Sequence, residues 1–182
     1  MVTIEIERDR DAVAVDRILD DAFGAERHRK TAQRLRDGQV PVRGLSLVAR
    51  EHGAVIGTVR FWSVRIGRQH RALLLGPVAV DAAHRKRGVG AWLINTGLAR
   101  ARSLGHRAVI LVGDAPYYGR FGFSAAHTEG MTLPGPVDRA RFLGLELEPG
   151  ALNGATGRVS ADPAMRVLFP ERRRAAKRVR AA

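Results

Sequence analysis

Apolar and polar positions alternate from Thr3 to Glu7, with Ile4 and Ile6 on one side, which is the period of a half-buried strand. The period then lengthens. Val15, Ile18, Leu19, Ala22 and Phe23 recur at helical spacing and form one apolar stripe, with Asp9 or Asp11 available as its cap and Gly24 at its end. Glu26 to Asp37 is mostly charged, with only Ala32 and Leu35 apolar, and predicts a weak helix lying on the surface and closed by Gly38. Pro41 marks the next boundary. Leu45 to Arg50 and Ala54 to Ile66 read as strands joined by a short hairpin at Glu51, His52 and Gly53. Along the second strand Val59 and Phe61 share one face and Arg60, Trp62 and Val64 the other. Trp62 is there either as core or, beside Arg60, as part of a substrate site.

After a polar turn from Gly67 to Arg71, the pattern becomes continuous. Leu73 to Val80 is apolar and bounded by turn residues, as a strand buried on both faces would be. Arg85 to Gly90 is a basic, glycine-containing loop. It opens a helix whose buried stripe is predicted to be Leu93, Ile94, Leu98, Ala101 and Leu104, with Gly105 as its C-terminal cap. Another strand and a Tyr-Tyr turn follow, ending at Phe123. In the C-terminal third, Arg141 to Leu147 places Leu143, Leu145 and Leu147 on one face before Pro149-Gly150 breaks the run. Gly157 to Ser160 reads as a closing strand and Asp162 to Phe169 as a short turn of helix. Beyond Pro170 almost nothing can be buried, so one domain over 1–170 and a flexible Arg-rich tail over 171–182 are expected.

Composition changes this picture little. At 182 residues and 45% hydrophobic content the chain suffices for one well-cored domain. Without Cys it can form neither disulfides nor thiolate sites, and Met-Val-Thr-Ile-Glu-Ile-Glu has acids where a signal peptide carries a basic region. No apolar run approaches the ~18 residues of a membrane span. A soluble cytoplasmic protein without membrane contact is expected. The net charge of +13 invites a nucleic-acid partner, but Glu171 to Ala182 alone supplies +5, from five Arg and one Lys against one Glu. A solvated basic surface or a phosphate-rich ligand also accounts for it.

The Arg85 to Gly90 loop carries the chemistry. Backbone N–H groups at a helix N-terminus lack intrahelical partners and sit at the positive end of the helix dipole, so they bind phosphate oxygens. Gly88 and Gly90 permit close approach, and Arg85, Lys86 and Arg87 add charge. A dinucleotide fingerprint would need a third glycine where Leu93 stands, and a P-loop would need a Lys after the glycines, which is absent. His28, His52, His70, His84, His106 and His127 fit no ligand spacing, and no metal is expected.

Arg85-x-x-Gly88-x-Gly90 after a strand ending Val78-Ala79-Val80-Asp81, followed by Gly113-Asp114-x-x-Tyr117-Tyr118-x-x-Phe121-Gly122-Phe123, resembles the GCN5-related N-acetyltransferases (GNAT). Within them it is most similar to the YhbS-like subgroup, which combines a Leu-Gly-Pro strand with this turn. The match covers roughly residues 73 to 123. The resemblance implies an α/β (α+β) fold, with a mixed central sheet splayed at its central strands and helices on both faces. It implies acetyl-CoA as acyl donor, bound by Val78, Ala79 and Val80 along the pantetheine arm and by Arg85, Lys86, Arg87, Gly88, Val89, Gly90 and Ala91 at the pyrophosphate. Gly76-Pro77 fits the break in the strand, because Pro has no N–H for a ladder and Gly tolerates a bulge. Tyr118 takes the family's general-acid position, with core packing as its other reading. Asp114 is the candidate general base or simply a cap for the turn after it.

The activity implied is N-acetyl transfer to a primary amine, on a small molecule or a protein, by direct attack. The acceptor is expected to be shaped by Phe23 to Gly38 and Gly130 to Gly157, and the chain to be a monomer or homodimer. The rival is a non-catalytic acyl-CoA-binding regulator whose basic tail contacts nucleic acid or an acidic partner.

Overall fold

The computed structural model describes residues 1–29 and 31–165. The Arg-rich tail, the 170 boundary and the end of the expected turn at 162–169 lie outside the described residues. The chain opens with strand β1 (Val2–Ile6), a 3-10 turn (Asp9–Asp11) and helix α1 (Ala12–Phe23), closed by Gly24 at φ 67°. Asp11 stands at the cap position, but its carboxylate turns back to accept from the Arg8 N–H at 3.0 Å and from Arg50 Nη2 at 2.9 Å. A second 3-10 turn (Ala25–Arg29) and a four-residue helix α2 (Thr31–Arg34) follow. Here the surface-helix expectation is corrected. Leu35 is only 2% exposed and joins the core, and Arg36 is half-buried, because this segment folds over the sheet instead of lying on water.

The sheet is then built by β2 (Ser46–Glu51), β3 (Ala54–Ile66), β4 (His70–Val80), helix α3 (Val89–Ser103), β5 (Ala108–Val112), helix α4 (Ala115–Gly119), β6 (Met131–Thr132), β7 (Phe142–Glu146) and β8 (Gly157–Ala161). The main path runs β1-β2-β3-β4-β5-β7, with β8 pairing both β3 and β6. It is a mixed sheet. β4 and β5 are parallel, as are β6 and β8, and the other pairs are antiparallel. The β2–β3 hairpin turns on His52 (φ 51°) and Gly53 (φ 84°), the left-handed pair that a two-residue loop needs.

Period-two alternation sends β-strand side chains to the two faces of the sheet, where they join three apolar clusters. Val48, Val55 and Ala79 pack under Val15, Ile18 and Leu19 of α1. Leu47, Val59, Phe61 and Leu73 pack on the other face under Leu93, Ile94 and Leu98 of α3. Leu104, expected on that stripe, is 52% exposed instead, because it is already the C-cap at φ -86° and ψ 4° and has left helical phase. Val89 and Gly97 take the remaining buried places on α3.

Candidate active site

Two irregularities in β4 open the site. Val59 pairs with Val78 and Phe61 with Leu75, so Arg60 alone faces Gly76 and Pro77, which is a bulge on β4. Gly76 sits at φ 119°, a region open to glycine, and its peptide bond to Pro77 is cis. Trp62 is core, 8% exposed, and its indole N–H donates to the Gly76 carbonyl at 2.7 Å, which fixes the bulge from behind. On the other edge, β4 pairs with β5 only at Leu73–Val109 and Leu74–Ile110. Beyond these the two strands separate.

The direction of the free backbone follows from the ladder. Asp81 N–H donates to Ile56 C=O on β3 at 2.9 Å, and donors alternate along an antiparallel strand. The N–H groups of Val78 and Val80 therefore point away from β3, into the gap. The Val80 carbonyl accepts from Arg85 Nε at 3.3 Å.

At the far end of β4, Asp81 organises the loop. Its Oδ1 accepts from the Ala83 N–H and lies 3.0 Å from His84 Nδ1. These bonds, that to His84 foremost, hold the Asp81 carboxyl below the usual range. Lys86 (φ 62°) and Gly88 (φ 79°) take left-handed conformations that turn the chain into α3, whose N-terminus no side chain caps. The first α-helical bond of this turn runs from the Trp92 N–H to the Gly88 carbonyl, so the N–H groups of Val89, Gly90 and Ala91 precede the helical ladder. Arg85, Lys86 and Arg87 are all exposed. Arg87 is held by Glu51 of β2 through two bonds of 3.1 and 2.8 Å, so its charge is shared with that carboxylate. A Cβ on Gly90 would come 3.2 Å from the Tyr117 hydroxyl, so the loop and the Tyr-Tyr turn meet at this glycine.

Asp114 caps α4, its Oδ2 accepting the Tyr117 N–H at 3.0 Å. The cap reading of this residue is therefore realised. Tyr118 packs edge-on against Tyr117 and Phe123, with ring centroids 5.0 and 5.9 Å apart. A side chain at Gly113 would collide with the Tyr118 ring, so only glycine lets the phenol lie across the end of β5. Burial pushes the Tyr118 hydroxyl up to about 12, with Tyr117 and Asp114 adding to the rise and Arg36 and Arg141 opposing it.

Tyr118 and Asp114 line a cavity of about 590 Å³ together with Leu75 to Val78. Its lining also includes Arg27, Thr31 and Arg36, and Pro136, Asp138 and Arg141, from the two segments expected to shape the acceptor. The phosphate-type loop is not part of this lining. Val78 thus belongs to the cavity wall, while the Arg85 to Gly90 loop lies beyond the end of β4. The sequence alone assigns no role to Arg36 or Arg141, and shows Gly113 only as part of the Tyr-Tyr turn motif. Gly113 between a strand and a turn was the available signal, whereas nothing distinguishes Arg36 from the other cations around it. Among the described residues, no group of His, Asp and Glu side chains is arranged to hold a metal ion, and no helix is long and apolar enough to cross a membrane.

A family model described as an acetyltransferase (GNAT) domain matches residues 5–126. Over 157 residues the chain is 32% identical to YhbS of Escherichia coli K12, named an uncharacterized N-acetyltransferase, covering 86% of this chain and 93% of YhbS. It is 31% identical over 139 residues to YjhQ of the same strain, which bears a similar name, covering 74% of this chain and 77% of YjhQ. The crystal structure of E. coli YhbS in complex with CoA matches with a TM-score of 0.76 at 33% identity, covering 88% of this chain and 89% of that one. A GNAT family acetyltransferase from Brucella melitensis in complex with acetyl-CoA matches with a TM-score of 0.66 at 30% identity, covering 90% and 97%.

Proposed function

The chain belongs to the GNAT acetyltransferase family, and on that premise we propose that it transfers the acetyl group of acetyl-CoA to a primary amine by direct attack. The observation that carries this reading is the separation of β4 from β5 beyond Leu74, between an uncapped helix N-terminus and a half-buried Tyr118. Two solved relatives hold CoA or acetyl-CoA, which supports the donor.

In this reading the N–H groups of Val89, Gly90 and Ala91, with Arg85 and Lys86, take the pyrophosphate, and Arg87 contributes while anchored to Glu51. Val78, Ala79 and Val80 flank the pantetheine arm. The Val78 N–H donates to the thioester carbonyl oxygen and stabilises the negative charge that grows there as the amine nitrogen attacks. The N–C bond forms and the C–S bond breaks. Tyr118 gives its proton to the departing thiolate, and the second N–H proton, shed as the nitrogen becomes an amide, restores the phenol, whose pKa of about 12 keeps it protonated at neutral pH. The acceptor arrives as an ammonium and must lose a proton first. We assign that proton to Asp114, whose second carboxylate oxygen is not used by the cap.

The test is thiol release from acetyl-CoA over an amine panel. With no Cys in the chain, a thiol reagent reads CoA without background from the protein. Amine-dependent release, with a melting-temperature rise on adding CoA, is expected. Absence of both over a broad panel would overturn the proposal.

A further inference from the structure

The cavity wall facing β4 is rich in guanidinium groups, and they are not equivalent. Arg27 is neutralised by Asp20 at 2.7 Å and Asp16 at 3.6 Å, and Arg29 by Glu26 at 3.1 Å. The two carboxylates of the lining are also engaged, Asp114 with the Tyr117 N–H and Asp138 with the Ala140 N–H. Arg36 and Arg141 make no ion pair with any described residue. Arg141 offers its Nε only to the Gly113 carbonyl, at 3.4 Å. Arg36 is half-buried, and its Nε is shut off from solvent with no hydrogen-bond partner among the described residues.

Their position is informative. A Cβ on Gly76 would lie 3.2 Å from Arg36 Nη2, so this guanidinium is set against the bulge of β4. Arg36 and Arg141 line the same cavity as Tyr118, and Arg141 reaches the carbonyl of Gly113, the glycine against which the Tyr118 ring lies. Burial lowers the pKa of Arg36 to about 10, yet leaves it protonated at neutral pH. The neighbouring Arg60 does not compete for a ligand, because Glu7 holds it through two bonds. The wall is also fixed in place. Thr31 Oγ1 donates to the Pro136 carbonyl and Arg34 Nη1 to the Pro134 carbonyl, both at 2.7 Å.

A buried donor without an acceptor is rare in folded proteins and calls for an explanation. A planar guanidinium matches two oxygens of a carboxylate or phosphate at once. The pyrophosphate of the donor is not the anion concerned, since the Arg85 to Gly90 loop is not part of this lining. Resting on the acetyl-transfer reading, we propose that Arg36, together with Arg141, binds an acidic group of the acceptor, which is a small amine carrying a carboxylate or a phosphate. A cavity of about 590 Å³ suits a molecule of that size.

The test is calorimetric titration of the full chain saturated with CoA, using acetylated probes in charged and neutral pairs. N-acetylglycine is compared with N-acetylglycinamide, and N-acetyl-O-phosphoethanolamine with N-acetylethanolamine. At least one acid is expected to bind tenfold or more tightly than its neutral partner, and the arm that does so identifies carboxylate or phosphate. In Arg36→Gln that preference should disappear, with CoA affinity within twofold. Arg36→Lys should retain part of it, because an ammonium keeps the charge but not the fork. If Arg36→Gln fails to fold by circular dichroism, Arg141→Gln carries the same test. Equal binding of acids and neutral partners, or a preference unchanged by both substitutions, would overturn the proposal. Acid-selective binding without thiol release from acetyl-CoA would instead overturn only the transfer reading.

Discussion

A phenol in water titrates near pH ~10, and burial in the ring cluster of Tyr117, Phe121 and Phe123 takes that of Tyr118 to about 12. Its proton is therefore present throughout the range in which the chain would work. Tyr118→Phe keeps the ring and its packing but removes the proton. We expect kcat to fall by about 10²–10⁴, the usual worth of a positioned general acid, with CoA affinity within about twofold. An unchanged kcat in steady-state thiol release would leave Tyr118 as core only. Asp114→Asn separates two roles of one side chain. Asn also caps helices well, so the melting temperature should hold while kcat drops about a hundredfold or more if the carboxylate takes the ammonium proton. Equal activity would leave Asp114 as a cap alone. Tyr118 was legible from its spacing to Gly122 and Phe123. Arg36 was not, because a cation within Glu26 to Asp37 looks solvated until the segment is seen to fold over β4.

The element that ties the loop to the core is α3. Gly97 lies where a Cβ would come 2.5 Å from the Phe61 ring on β3, so the helix rests directly on an aromatic side chain. Gly97→Ala gains about 1 kcal/mol of helix propensity but forces overpacking that costs about 1–3 kcal/mol. Because the obstacle is a fully buried ring, the second effect should win. A lowered denaturant midpoint with weakened CoA binding is expected, since α3 carries the phosphate-type loop at its N-terminus. At this scale much could be read in advance. The β2–β3 hairpin, the loop and the stripe of α3 each follow from local residue choice, and the bulge at Gly76-Pro77 from the family resemblance that these two residues fit. The short α2 and the exposure of Leu104 do not, because they depend on where a segment stops and what it lies against.

At the scale of the whole molecule, buried carboxylates tie segments outside the strands to the interior of the sheet. Asp11 joins the turn before α1 to Arg50 of β2, and Asp162, after β8, accepts from Ser63 Oγ on β3 at 2.9 Å. Burial alone would raise both carboxyls, but hydrogen bonds from Arg50 and the Arg8 N–H hold Asp11 low, and those from Ser63 and the Ala164 N–H hold Asp162 low. Their folded pKa values lie below the unfolded ones, so the unfolded chain binds more protons in acid and stability rises with pH there. This contribution is complete above the ordinary carboxylate value and is lost as pH falls through the lowered folded values. Melting temperatures should decline gently from pH 7 to about 5, where burial of His106 keeps its folded pKa below the unfolded one, and more steeply below that, and Asp162→Asn should lower the values near neutral pH while making the acid limb shallower. The gap between β4 and β5 has a consequence of another kind, in the time the backbone takes to trade hydrogen with water. Along Val78-Ala79-Val80 only the middle amide faces β3, so amide exchange should be slow at Ala79 and fast on either side of it. CoA seated in the gap should slow the two fast amides and leave Ala79 as it was, a three-residue pattern that exchange measured by NMR can record without any acceptor being known.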